Sequence, residues 1–271
     1  MTDNVAPGLE RAELDALLGI AVDAAREAGG LLLEHHGRLR HVRTKSSARD
    51  LVSEADVASE RLLVARLRAA RPDHRIEAEE EVQDSPEPGT PRWFLDPLDG
   101  TTNFVHRLPI FAVSMGLHVD AVPQVAVVHL PLLGETFTAT LGGGAQLNGD
   151  RIEVSSTTSL GEAVLATGFP YRRGELEHSN LENFSRFFYD VRGMRRMGSA
   201  ATDLAYVAAG RLDGFWELHL SPYDVAAGAL LVREAGGIVT DAHGKDDWLR
   251  GGSIVASGPA LHAAIRERVI C

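Results

Sequence analysis

Two carboxylates three positions apart, Asp96 and Asp99, stand in the stretch Trp93-Phe94-Leu95-Asp96-Pro97-Leu98-Asp99-Gly100-Thr101-Thr102-Asn103-Phe104. The three apolar residues before Asp96 read as the end of a buried strand. Pro97 fixes its own φ and biases Asp96 away from helix, so the strand is expected to end there. Asp99 reads as an N-cap, and Gly100-Thr101-Thr102 would open a helix whose first N–H groups are unpaired. A carboxylate pair beside free amides suits the holding of hard divalent cations against a phosphate. A turn and a cap account for the same residues without chemistry. The remainder of the chain has to decide between the two.

The elements that would position this stretch can be read in order. Leu14, Leu17, Leu18, Ala21, Ala25 and Ala28 recur at helical spacing, so residues 10–34 are expected to be helix, stopped at Gly37. Lys45 is one of only two lysines against 25 arginines; a solvated loop lysine is its ordinary explanation. Ser53 or Asp56 caps a helix running to about residue 70, ended by Pro72. A short strand over 74–78 leads into Glu79-Glu80-Glu81, a run that is ordinarily a solvated face. If that strand neighbours the one carrying Asp96, the two strand ends bring their acids together. Residues 83–91 read as a surface loop. Strands over 110–119, 122–129, 135–141 and 151–155 form an antiparallel meander, with turns at Gly142-Gly143-Gly144 and Asn148-Gly149.

The second half alternates again. A strand over 163–166 precedes Gly168-Phe169-Pro170, and residues 177–189 are expected to be helix. A strand over 191–197 leads to Gly198-Ser199-Ala200-Ala201, which opens a helix reaching residue 209. Glu217 falls in a strand over 213–218, and Asp224 stands at the start of a helix over 225–234, where capping is the default role for an aspartate. Strands over 238–241 and 253–256 and a helix over 259–269 complete the chain.

Composition bounds the function. Of 271 residues, 44% are hydrophobic and 24% charged, ordinary for a globular chain that buries a large core. The net charge of −11 argues against a general nucleic-acid binder, which needs clustered Lys and Arg. The single cysteine, Cys271, excludes an internal disulfide and a cysteine metal site, and fits a reducing cytoplasm. No signal peptide and no run of membrane-spanning length is visible. Neither repeats nor a linker divide the chain, so residues 1–271 are expected to form a single unit with approximate halves 1–160 and 161–271.

The stretch from Asp96 to Phe104 resembles the signature of the inositol monophosphatase family, metal-dependent phosphomonoesterases. Three further segments resemble it in the family's order: the region of Lys45 and Asp56, Glu79-Glu80, and Ser221-Pro222-Tyr223-Asp224-Val225-Ala226-Ala227-Gly228 with Glu234-Ala235-Gly236-Gly237. Ala78 stands where many members have Gly, and Tyr223 where the family has Trp. The resemblance implies a mixed α/β fold, a layered α-β-α-β-α sandwich of the inositol monophosphatase and fructose-1,6-bisphosphatase type, usually a homodimer.

It also implies a site. One Mg²⁺ would be held by Glu79, Asp96 and the Leu98 carbonyl, a second by Asp96, Asp99 and Asp224, with two or three ions per site and inhibition by lithium. Glu79, with Thr101 and Asp56 in a relay, would orient the attacking water and take its proton. The Gly100 and Thr101 N–H groups would hold phosphate, with Lys45 nearby. Asp99, Gly198, Ser199, Ala200, Glu217 and Asp224 would meet the substrate. The activity implied is hydrolysis of myo-inositol 1-phosphate or a close inositol phosphate. Sugar bisphosphatases and nucleotide phosphatases share the metal motifs; histidinol-phosphate phosphatases resemble the second half less. The segment from Gly198 to Arg211 looks very like bacterial members, one of which also joins the transcription antitermination machinery by binding RNA polymerase. Arg172-Arg173 and Arg192, Arg195 and Arg196 are candidate patches for such a partner, and salt bridges at a dimer interface explain them equally.

Overall fold

The computed structural model describes residues 8–39, 41–45 and 51–271. Helix α1 (Arg11–His35) buries Leu14, Leu17, Ala21, Ala25, Ala28 and Leu32 along one stripe. Strands β1 (Val42–Thr44) and β2 (Leu51–Ser53) form a small antiparallel pair. Helix α2 (Glu54–Ala70) starts at a capping box: Ser53 Oγ accepts from Ala55 N at 3.2 Å, and Asp56 Oδ2 accepts from Ser53 N at 2.8 Å.

Among the described residues a seven-stranded sheet runs β3 (Arg75–Ala78), β4 (Pro91–Asp99), β5 (Ala112–Val119), β6 (Val122–Leu130), β7 (Glu135–Thr140), β8 (Gly144–Leu147) and β9 (Asp150–Ile152), with the short helix α3 (Thr101–Val105) between β4 and β5. Only β3 and β4 are parallel neighbours in it. The second half supplies β10 (Val164–Thr167), α4 (Leu181–Phe187), β11 (Gly193–Arg195), α5 (Ala200–Ala208), β12 (Gly214–Leu218), α6 (Pro222–Glu234), β13 (Ile238–Thr240), β14 (Ser253–Ser257) and α7 (Pro259–Arg266). Its five-stranded sheet has the order β11-β10-β12-β14-β13 and is mixed.

Three apolar clusters stack these elements into layers. Side chains of α1 and α2 pack on Trp93, Leu95, Val113 and Met115 of the large sheet. Between the sheets, Leu204, Ala205, Leu230 and Leu231 of α5 and α6 meet Ala126 and Val128 on one side and Phe215 and Ile254 on the other. Phe187 and Ile265 of α4 and α7 cover Trp216 and Val255. The result is the α-β-α-β-α sandwich.

Four expectations need correction. Strand β4 does not stop at Asp96; it continues to Asp99, with its register against β5 shifting between those two residues. Pro97 has no N–H to give the ladder, and an irregularity absorbs it without ending the strand. Strand β8 starts at the last glycine of the run assigned to a turn and fills residues 145–147, for which no element was expected. The helix expected over 177–189 is confined to Leu181–Phe187. Asn180, at φ 70°, precedes it, and its buried side chain bonds Thr167 Oγ1, the Gly168 carbonyl and Trp216 Nε1 instead of continuing a helix. The strand expected over 191–197 shrinks to three residues, Gly193–Arg195.

Helix α6 is pinned to the large sheet by His118 of β5, whose Nε2 lies 3.3 Å from the Ala226 carbonyl. His118 is fully buried, with its ring against Phe94 and Trp248, and burial pushes it down to about 4. An unfolded chain protonates this residue near 6.5. Between those values the unfolded state binds the extra proton, so the stability due to neutral His118 is intact above about 6.5 and is lost as pH falls toward 4. The full effect is about 3 kcal/mol at 1.36 kcal/mol per pKa unit. Urea midpoints of wild type and His118→Gln, compared at pH 7 and pH 4.5, test this: the wild type is expected to fall more steeply, and parallel pH curves would refute it.

Candidate active site

Parallel pairing of β3 and β4 sets Ala78 beside Leu95, so the residues that follow each strand meet. Glu79 N donates to the Leu95 carbonyl at 3.1 Å, and the Glu79 side chain comes within hydrogen-bonding reach of Asp96. The register of the three glutamates is thereby fixed. Lys45 Nζ donates to Glu79 Oε1 at 2.8 Å and to Glu80 Oε1 at 2.5 Å, while Glu81 turns outward to Arg61 at 2.9 Å. The turn itself is held by Glu60 of α2. One Glu60 oxygen accepts from Glu80 N at 2.7 Å; the other accepts from Glu81 N and Val82 N at 2.7 and 2.9 Å.

The irregular end of β4 is held in a similar way. Asp96 Oδ1 accepts from Leu98 N at 3.0 Å, and Ser59 Oγ of α2 donates to the Pro97 carbonyl at 2.8 Å. Gly100 precedes α3 at φ 92°, and a Cβ there would lie 3.0 Å from the Ile110 carbonyl and 3.3 Å from that of Gly198. Only glycine fits both the conformation and the space.

Asp99 is not the cap of α3 that the sequence suggested. Its Oδ2 accepts from Ser199 Oγ and Ala201 N, both at 2.7 Å, at the start of α5 a hundred residues later. Asn103 adds a second tie, donating to the carbonyls of Ile110 and Met197 at 2.7 and 2.8 Å. Asp56 Oδ2 is fixed by Ser53, and its Oδ1 lies 2.9 Å from Thr101 Oγ1, which is also 3.1 Å from the Leu98 carbonyl. Asp224, in the first turn of α6, does cap: its Oδ2 accepts from Ser221 N at 2.7 Å.

These residues surround one cleft of about 290 Å³. Lys45, Glu79, Asp96, Leu98, Asp99, Gly100, Thr101, Gly198, Ser199, Ala200, Glu217 and Asp224 all line it, with Asp56 behind Thr101. Every site residue expected from the sequence is thus at or directly behind this cleft, and Tyr223 is on its wall. The sequence reading missed Glu60 and Ser59, and also Tyr171, Arg196, Asp203 and His219 on the lining. Glu60 was findable, being one helical turn beyond Asp56 on the stripe that buries Leu63 and Leu67. Tyr171 follows β10, whose parallel partner β12 ends near Glu217; only the strand pairing reveals that proximity.

The electrostatics are those of crowded, buried acids. Burial, then the charges of Glu79, Asp99 and Asp224, pushes Asp96 well above the ordinary carboxylate range. Burial and Glu79 push Asp224 up likewise. Asp99 rises to about 6 through burial, against the opposing bonds from Ser199 and Ala201. Burial acts to lower Lys45, but Glu79 and Glu80 hold it above its ordinary value.

The donor set can be tested against a metal. It is all oxygen and hard, the chemistry that suits Mg²⁺. Asp96, Asp99 and Asp224 each engage one oxygen with an N–H or hydroxyl donor. Among the described residues no Lys or Arg forms an ion pair with any of these three; Lys45 serves Glu79 and Glu80. As the side chains stand, no three His, Cys, Asp or Glu among the described residues close into a ligating cluster. The residues fit a hard divalent cation in donor type and in missing charge, and the final convergence would come with the ion.

Comparison with known proteins agrees with this chemistry. The model of the inositol monophosphatase family matches residues 13–270. The Nus factor SuhB of Escherichia coli K12 is 44% identical over 250 residues, which cover 92% of this chain and 94% of that protein. Among solved structures, the extragenic suppressor protein SuhB of Bartonella henselae superposes with a TM-score of 0.87 at 40% identity, covering 93% of this chain and 98% of that one. An inositol monophosphatase from Anabaena (Nostoc) sp. PCC 7120 gives 0.86 at 38% identity, with coverage of 94% and 96%.

Glu60 supplies one carboxylate to three consecutive N–H groups, and its loss would free the turn that carries Glu79. Glu60→Gln replaces one acceptor oxygen by an NH₂ facing an N–H donor. It is expected to lower stability by about 1–3 kcal/mol, read as a urea midpoint; an unchanged midpoint would contradict the bracket.

Proposed function

The chain belongs to the inositol monophosphatase family, and we propose that it hydrolyses the phosphomonoester of a small polyol, myo-inositol 1-phosphate or a close inositol phosphate, with Mg²⁺ in its site. The observation that carries this reading is the gathering of Lys45, Glu79, Asp96, Asp99, Thr101 and Asp224 around one cleft from widely separated parts of the chain. Its volume of about 290 Å³ is at the lower limit of small-molecule sites, about 300–1,000 Å³, which favours a compact ester over a nucleotide. A second phosphate at the far end would face Glu217 and Asp203, which disfavours a sugar bisphosphate.

Mg²⁺, held by Glu79, Asp96, the Leu98 carbonyl, Asp99 and Asp224, would neutralise the phosphate dianion, acidify the attacking water and stabilise the departing alkoxide. Asp56, pinned by Ser53, accepts a hydrogen bond from Thr101 Oγ1 at its Oδ1, so that the hydroxyl oxygen is free to accept from the attacking water. Burial pushes Asp56 up, which suits it to holding a proton transiently. Lys45 fixes Glu79 and Glu80, so Glu79 presents its acceptor to the same water. The N–H groups of Gly100 and Thr101 hold phosphate oxygens. Asp99 reaches the substrate through Oδ1, its other oxygen being engaged by α5. Glu217 and the backbone of Gly198, Ser199 and Ala200 meet the hydroxyls of the alcohol. Lithium inhibition, a homodimer and a cytoplasmic setting accompany this reading; no helix among the described residues is long and apolar enough to cross a membrane.

A second role is favoured by the 44% identity, over nearly the whole chain, to a protein named as a Nus factor. Arg192 and Arg195 are exposed and form no ion pair among the described residues, which leaves them available to RNA polymerase. Arg172, by contrast, is paired with Glu175. Co-elution with purified polymerase, weakened by Arg192→Glu with Arg195→Glu, is the expected result, and unaltered elution of the two alone would end this reading.

The phosphatase is tested by phosphate release from myo-inositol 1-phosphate. Release is expected to require Mg²⁺ and to fall about a hundredfold or more in Asp96→Asn. In the same two proteins Mg²⁺ at a hundred times its Kd should stabilise the wild type by about 2.7 kcal/mol and the variant far less. Hydrolysis that survives chelation, or survives Asp96→Asn, would exclude the assigned metal site.

A further inference from the structure

The cleft also holds an acid to which the reaction above gives no role. Asp203, in the first turn of α5, is 1% exposed, and its Oδ1 has no hydrogen-bond partner among the described residues. The residue lines the cleft. It plays no part in capping α5, since Ser199 Oγ accepts from Thr202 N and Asp99 Oδ2 accepts from Ala201 N. A favourable placement near a helix N-terminus is worth about 0.3–1 kcal/mol, less than the roughly 1–3 kcal/mol that an unpaired buried polar group costs. Capping and the helix dipole therefore leave Asp203 unexplained.

Its neighbour is equally unsatisfied. Glu217, at the end of β12, is 8% exposed and forms no hydrogen bond or ion pair among the described residues. Its carboxylate packs directly on Gly168, where a Cβ would overlap it, so the glycine opens the space the acid occupies. Burial, then Glu217 and Asp99, pushes Asp203 well up; burial pushes Glu217 to about 8, with Arg196 opposing. Arg196 is the only basic side chain of the lining on this side apart from His219, and it is itself exposed.

Two buried carboxyl groups without protein donors call for a ligand that brings donors. An anionic group would be repelled. Hydroxyls fit, because each both donates and accepts, and so satisfies a carboxyl group in either protonation state. We propose that Asp203 is a specificity-determining residue that, beside Glu217, binds hydroxyl groups on the alcohol half of the substrate. The inference rests on the phosphomonoesterase reading and extends it to the leaving group.

The test compares two esters that share the phosphate but not the hydroxyls, myo-inositol 1-phosphate and p-nitrophenyl phosphate, on the full chain with Asp203→Ala and Asp203→Asn. For Asp203→Ala the ratio of kcat/KM between the polyol and the aryl ester is expected to fall at least tenfold, mainly through KM. Asp203→Asn, which keeps one acceptor oxygen, should retain part of the preference. Urea midpoints should not drop in either variant, since an unpaired buried acid has been removed. Equal losses on both esters, an unchanged ratio, or a lowered midpoint as the sole effect would overturn the assignment. Calorimetric binding of the same esters with Ca²⁺ replacing Mg²⁺ separates the two readings. If the wild type hydrolyses neither ester, the phosphatase reading fails, while binding still judges Asp203: a preference for the polyol ester lost in Asp203→Ala supports it, and no preference in the wild type overturns it.

Discussion

Like charges brought together inside a protein repel, and two carboxylates 4 Å apart at an effective dielectric constant near 20 do so by about 4 kcal/mol. Glu79, Asp96, Asp99 and Asp224 share one cleft, and burial compounds the effect at the three aspartates. Much of the local architecture holds these acids in place against that repulsion. Each aspartate has a donor on one oxygen, and Glu79 has Lys45. The anchoring fixes the direction of each acid, which is what the proposed ion-binding site requires.

The anchors come from outside the segment that carries the acids. Helix α2 acts as a splint: Asp56 bonds Thr101, Ser59 bonds the Pro97 carbonyl, and Glu60 brackets the turn after Glu79. Three polar side chains on a buried helical face are tolerated because each has a partner, as buried polar groups must. Asp99 and Asn103 then carry the constraint across the molecule to the start of α5 and the Met197 carbonyl. The end of β4 and the start of α5 are therefore held in register by two side chains of one short stretch. A change at either would be felt at both ends.

This explains what the sequence could and could not disclose. Asp96, Asp99, Thr101 and Asp224 were legible because each lies in a contiguous motif whose residue types are chemically restrictive. The layered fold was legible from the alternation of periods and from the resemblance together. The role of Asp99 toward α5 was not, because that partner is a hundred residues away and a local N-cap explained the same residue equally well. Pro97 misled for a related reason: proline rules describe its own backbone, whereas the sheet accommodates it by a shift of register with β5. Asn180 truncated a helix through three tertiary bonds that no local pattern encodes. The glutamate register was undecidable from three identical residues, and Lys45, Arg61 and Glu60 decide it by pairing.

The two ends of the cleft differ in kind, and the difference is physical. Asp96, Asp99 and Asp224 are each tied to a backbone or side-chain donor, which directs them; the hard cation proposed there, with its strict geometry, needs that. Where the alcohol is proposed to lie, Asp203 and Glu217 carry no such ties among the described residues, although both are buried. Groups held only by packing can adjust to the varied orientations of the hydroxyls proposed to bind there. Their unsatisfied state lowers the stability of the free protein, and that deficit is recovered only when a ligand fills the site. Tight fixation where a cation is proposed and loose fixation where hydroxyls are proposed would divide the cleft into two functions, joined through Asp99.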